Sequence, residues 1–133
     1  MDYHSVIDPF FKRSDDGHIN FQKYIESIIP NDDAFLGVAI EADRVVGYVL
    51  AQKTVYPPVF VNTDFCMIND IVLLPEFRNQ GKGKMLFDAV VDWSRKKGLD
   101  RIQLQVLPEN TPALRFYEKL GFKQHLLTLS INI

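Results

Sequence analysis

Ile68-Asn-Asp-Ile-Val-Leu-Leu-Pro-Glu-Phe-Arg-Asn-Gln-Gly-Lys-Gly-Lys-Met-Leu86 is the stretch on which the reading of this chain turns. An apolar run ends at Pro75, a basic loop carries Arg78, Gly81, Lys82, Gly83 and Lys84, and a helical pattern starts at once. A strand that turns through glycines into a helix leaves several backbone N–H groups unpaired at the positive end of the helix dipole. That arrangement suits a phosphate or pyrophosphate.

The surrounding sequence supplies the elements such a loop needs. Ala34–Ile40 and Val45–Ala51 are short apolar runs separated by Glu41-Ala42-Asp43-Arg44, which predicts an antiparallel hairpin. Residues 53–64 contain Pro57-Pro58 and no periodicity, so they read as a loop. Phe65–Leu74 is the strand that feeds the glycines. Behind them Leu86, Ala89, Val90 and Trp93 recur at helical spacing, Arg95, Lys96 and Lys97 suit a helix C-terminus, and Gly98 stops it. Arg101–Leu107 alternates as a strand up to Pro108. A second helix is expected from Thr111, as N-cap, through Pro112 at the first helical position to Gly121, with Ala113, Phe116, Tyr117 and Leu120 as its stripe. Ile19–Ile29 predicts a short helix, and Leu126–Ile133 suits a strand.

Composition bounds the rest. The 133 residues, 47% hydrophobic and 24% charged, fit one domain that buries roughly two-thirds of its unfolded surface. No apolar run reaches the roughly 20 residues of a membrane span, and the start does not read as a secretory signal, so the expected compartment is the cytoplasm with no membrane partner. A net charge of −2 argues against a nucleic-acid binder. Cys66, the single cysteine, rules out an intrachain disulfide and a cysteine-based zinc site, and no metal is expected from the scattered His4, His18 and His125.

Two phosphate-binding motifs fail on named residues. A triphosphate P-loop needs Ser or Thr after its Gly-Lys, but Met85 follows Lys84. A dinucleotide fingerprint needs glycine at Leu86. The spacing Leu73-x-Pro75-x-x-Arg78-x-x-Gly81-x-Gly83 instead resembles the acyl-CoA-binding motif Arg/Gln-x-x-Gly-x-Gly/Ala of the GNAT (GCN5-related N-acetyltransferase) superfamily. One helix and one strand later, Asn110-Thr-Pro-Ala113-Leu-Arg-Phe116-Tyr117-Glu-Lys-Leu-Gly121-Phe122 is similar to that family's Asn-x-x-Ala-x-x-Phe-Tyr-x-x-x-Gly-Phe segment. The resemblance covers about residues 34–122.

It implies an α/β fold with a mixed, largely antiparallel central sheet flanked by helices, here lacking the family's first strand. It also implies acetyl-CoA as co-substrate and a small-molecule or peptide amine as acceptor. The pyrophosphate would rest on the backbone of Asn79, Gln80, Gly81, Lys82, Gly83 and Lys84, with charge from Arg78, Lys82 and Lys84. The pantetheine arm would pair with the backbone of Ile71, Val72 and Leu73. Asn110, with Thr111 as the cap, would be left to contact that arm, and Tyr117 would protonate the departing thiolate. The general base stays open between Asn69 and Asp70: strand neighbours face opposite ways, and only the second is a carboxylate. A catalytically silent acyl-CoA-binding or sensor module of the same fold is the alternative. A sheet short of a strand at each end predicts a homodimer through the sheet edge or the C-terminal strand, or missing N-terminal residues.

Overall fold

The computed structural model describes residues 32–61 and 63–133, so the helix expected at 19–29 and the question of a first strand lie outside the described residues. Contacts divide the chain into two units, whose described parts are residues 32–105 and residues 106–133.

The first unit is a four-stranded sheet in the order β1 (Ala34–Glu41), β2 (Arg44–Val55), β3 (Asp64–Leu73), β4 (Ile102–Leu104). The first two pairings are antiparallel and β3–β4 is parallel, as the expected mixed sheet requires. Ala42 and Asp43 turn the β1–β2 hairpin with φ of 50° and 62°. Positive φ at both central residues matches the turn to the strand twist, an unusual conformation for alanine. β2 runs on to Val55, so the predicted loop starts only at Tyr56.

Helix α1 (Lys82–Lys96) covers one face of this sheet. Leu86 and Val90 from the helix pack with Val49, Ala51, Cys66, Ile68 and Leu99, while Phe35, Ile71, Leu73, Trp93, Ile102 and Leu104 close the edges. Phe35 and Trp93 stack at 5.7 Å. The helix stops as expected: Gly98 takes φ 75°, and Leu99 N–H reaches back to the Ser94 carbonyl at 2.8 Å. Cys66 is buried as a small core residue, and burial pushes its thiol up. Ser94 opposes this only weakly, since its Oγ makes no hydrogen bond of good geometry.

Gly47 fixes the approach of β2 to β3. A Cβ there would lie 2.6 Å from the Val72 carbonyl oxygen and 2.5 Å from Leu73 Cδ2. Backbone cannot step aside as a side chain can, so Gly47→Ala should destabilise by about 1–3 kcal/mol. A urea midpoint that falls at constant slope would show it, and an unchanged midpoint would refute the close fit.

The second unit holds α2 (Thr111–Leu120), ended by Gly121 at φ 103°. Three expectations are corrected. The strand expected over 101–107 is only Ile102–Leu104, because its partner β3 leaves the ladder after Ile68. The N-cap of α2 is Asn110, not Thr111: Asn110 Oδ1 accepts from Ala113 N at 3.3 Å, and Pro112 falls on the second helical residue. Residues 122–133 carry no strand, and Leu126, Leu127, Leu129, Ile131 and Ile133 are exposed. Their alternation is strand-like, but a strand needs a ladder partner, and none is found among the described residues.

Candidate active site

The strand, turn and helix of the opening stretch form one continuous feature of the first unit. Its key is a β-bulge at Asn69. Ile68 pairs with Ala51 and Asp70 with Leu50, so Asn69 is the extra residue. The insertion reverses the alternation of β3. Before it, Cys66 and Ile68 face α1; after it, Ile71 and Leu73 do. Asp70 and Val72 therefore lie on the other face, and Asn69 is exposed at the bend. Asp70 is half-buried. Without the bulge the carboxylate would have entered the apolar core beneath α1.

The same bend opens the sheet. β3 pairs with β4 only from Cys66 to Ile68. From Ile71 to Leu73 no residue of β4 pairs with β3, while the other edge of β3 stays bonded to β2. An extended, amide-bearing chain could add to that edge as a strand would.

Leu74 then enters a 3-10 turn, Pro75–Phe77. Arg78 Nε donates to the Leu73 carbonyl at 3.3 Å, and the Arg44 guanidinium lies 5.8 Å from the centre of the Phe77 ring, so the base of the loop is held to the sheet. Asn79 (φ 62°) and Gly81 (φ 80°) are both left-handed and flank Gln80, whose Nε2 donates to the Glu76 carbonyl at 3.0 Å. Alternating handedness of this kind turns successive N–H groups outward. Gly83 lies in the first turn of α1, so of the two loop glycines only Gly81 has positive φ, and Asn79 is the second left-handed residue.

Among the described residues the backbone N–H groups of 79–84 find no hydrogen-bond partner, and Met85 is the first to find one, the Gly81 carbonyl at 3.1 Å. A Cβ at Gly81 would meet nothing within 4 Å, so the space over the turn is clear. The lysines contribute less than the sequence allows. Lys82 Nζ is bound to Glu41 at 2.8 Å and Lys84 Nζ to Asp88 at 2.9 Å. The helix dipole adds only about 0.3–1 kcal/mol for an anion, whereas each hydrogen bond to a charged group is worth about 1.5–3 kcal/mol. For an anion placed here the backbone amides would thus outweigh the lysines and the helix dipole. The hollow of about 190 Å³ between β1 and α1, lined by Val38, Ile40, Met85 and Lys82 among others, adds packing surface but no free ionisable group.

Asn110 and Tyr117 belong to the second unit. Asn110 spends its carbonyl oxygen on the cap, which leaves its amide nitrogen as the group able to bond a ligand. Tyr117 is half-buried, with Phe116 edge-on at 5.3 Å and Phe122 at 5.6 Å. Sequence reasoning missed the bulge. The switch of apolar positions from Cys66 and Ile68 to Ile71 and Leu73 was the signal that could have found it.

A strand bent out of its sheet, leading through unpaired amides into a helix, gives this α/β protein a shape suited to an extended, phosphate-bearing ligand. The chain belongs to the Acetyltransferase (GNAT) family, which it matches over residues 3–122. It is 31% identical over 88 residues to N-alpha-acetyltransferase 30 of Schizosaccharomyces pombe, a match covering 66% of this chain and 57% of that protein. It is 33% identical over 92 residues to the L-ornithine N5-acetyltransferase NATA1 of Arabidopsis thaliana, covering 69% of this chain and 40% of that one. For glucosamine 6-phosphate N-acetyltransferase of Trypanosoma brucei brucei the figures are 40% over 66 residues, covering 50% and 43%. The chain thus spans about half the length of these relatives.

Among solved structures, the aminoglycoside acetyltransferase AAC(6')-Iy bound to a CoA-acetylneamine bisubstrate analogue superposes with a TM-score of 0.76 at 24% identity, over 98% of this chain and 86% of that one. The BH1408 protein of Bacillus halodurans, as a tetramutant, gives 0.86 at 20%, over 98% and 85%. These likenesses establish the mixed α/β acetyltransferase fold.

Proposed function

We propose that the chain transfers an acetyl group from acetyl-CoA to a primary amine by direct attack, both substrates being bound together. The observation that carries this is the run of amides at 79–84 without described partners, just after Ile71–Leu73, where β3 has left its ladder with β4: a place for a phosphate beside a strand-shaped slot. The pyrophosphate of coenzyme A fits the first and the amide-bearing pantetheine arm the second, with Asn110 as a further donor to that arm. The family and the amine-acetylating relatives support the same chemistry.

A lysine-like amine with a pKa of about 10.4 is neutral only about once in 2,500 at pH 7, a handicap of roughly 4.6 kcal/mol. Asp70 is assigned the proton, directly or through water, because Asn69 is an amide and has no basic site. Backbone N–H groups of the β3 edge would polarise the thioester carbonyl, and Tyr117 would protonate the thiolate. The acceptor is an amine of the small-molecule or peptide type.

Calorimetry with acetyl-CoA, paired with thiol release across polyamines, amino acids, amino sugars and peptide N-termini, tests this. Micromolar binding with amine-dependent thiol release is expected. Binding with no release from any amine would leave the silent acyl-CoA-binding module, and no binding would overturn both.

A further inference from the structure

Gln103 occupies the centre of β4, opposite Met67, between two residues that face α1. Alternation puts its side chain on the other face, the one that also carries Asp70. The Tyr56 hydroxyl donates to Gln103 Oε1 at 3.1 Å, and the Tyr56 ring is braced by Phe65 at 4.7 Å and Phe60 at 5.8 Å. The opposite end of the amide, Nε2, is buried without a partner. Leucine would fill such a place without leaving a desolvated donor unsatisfied. An aromatic cluster that orients one end of an amide and leaves the donor at the other end unsatisfied looks like a holder for a hydrogen-bonding group.

Its place in the fold says what that group belongs to. The β3–β4 ladder ends one residue beyond Gln103, where the bulge carries Asp70 onto the same face. Met67, level with Gln103, pairs with Gln52, and Asp70 pairs with Leu50, two residues along the unbulged β2, so at a rise of about 3.3 Å per residue Asp70 stands roughly 7 Å along the strand from the level of Gln103. That is the length of a small amine substrate whose nitrogen lies by the carboxylate. We infer that Gln103 is a specificity-determining residue: its Nε2 donates to a carbonyl, hydroxyl or ring oxygen that the acceptor carries several bonds from its amine. Tyr56 is the positioning residue that holds the amide in that orientation. The inference rests on the acetyl-transfer reading and deepens it.

The test compares matched acceptors, an amino alcohol or amino-acid amide against the alkylamine of equal length, in the full chain with acetyl-CoA. Gln103→Leu should lower kcat/KM for the oxygen-bearing amine about tenfold, mainly through KM, and leave the alkylamine and the acetyl-CoA Kd unchanged. Gln103→Glu, which keeps an acceptor for Tyr56 but removes the donor, should do the same, and Tyr56→Phe should give a smaller loss of the same kind. Equal effects on both amines, or a raised Tm with kinetics untouched, would mark Gln103 as an unsatisfied core amide and overturn the inference alone. No amine-dependent thiol release by the wild type would overturn the acetyl-transfer reading, and this inference with it.

Discussion

Gly81→Glu should raise the acetyl-CoA Kd at least 100-fold by calorimetry while the protein stays folded. The two halves of that expectation have separate causes. Gly81 sits at φ 80°, where an L residue is strained by about 1–2 kcal/mol, but a Cβ there meets nothing within 4 Å. The Cβ of the new side chain therefore clashes with nothing among the described residues. Its carboxylate would also sit at the N-terminus of α1, where a negative charge is worth about 0.3–1 kcal/mol and offsets part of the strain. Binding suffers for the same reason that folding does not. The carboxylate enters the clear space over residues 79–84 and takes up donors meant for phosphate. At about 5 Å and an effective dielectric near 20, one charge repels another by about 3 kcal/mol, already more than 100-fold. Gly81→Ala is the control: it carries the strain without the charge, and its Kd should rise far less. An unchanged Kd for the glutamate variant would remove the ligand from this loop.

What could be read from the sequence was whatever local residues decide by themselves. Gly81 before a helical stripe, Gly98 and Gly121 behind theirs, and the paired runs of the hairpin each carry their own conformational reason, and each lies where expected. The misreadings share another origin. Asn110 and Thr111 are both good caps, and sequence favoured the one beside Pro112, although proline is tolerated anywhere in the first turn. The bulge at Asn69 is a property of two strands in register, so a rule of alternation applied to β3 alone placed Asn69 and Asp70 without knowing that the phase reverses between them. Gly47 reads as an ordinary strand glycine until Val72 and Leu73 are brought against it. Tyr56 and Gln103 are 47 residues apart, and nothing in either neighbourhood announces the other. The alternation of Leu127, Leu129, Ile131 and Ile133 misleads in the opposite sense, because a pattern fit for a strand does not supply the neighbour that makes one.

Tyr117→Phe should cut kcat about 100-fold and leave the acetyl-CoA Kd within a factor of two. The substitution removes one oxygen from a half-buried ring whose packing is aromatic: Phe116 and Phe122 meet it edge-on at 5.3 and 5.6 Å, and phenylalanine can keep both contacts. A thermal melt of the variant, run beside the kinetics, separates a lost proton donor from a displaced helix. A proton delivered to a leaving thiolate matters only as the carbon–sulfur bond breaks, so its loss appears in kcat and not in ground-state binding. General acid catalysis contributes about 100- to 10,000-fold, and the low end applies because a thiolate, with a conjugate-acid pKa near 8.5, departs without full protonation. The same reasoning adds a second signature. An acyl donor with a better leaving thiol should depend less on the hydroxyl, so the ratio of wild-type to variant rates should shrink as the thiol pKa falls. A uniform loss across donors, or a Kd that rises in step with the fall in kcat, would make Tyr117 a packing residue. Full activity in the phenylalanine variant would leave the departing sulfur to solvent alone.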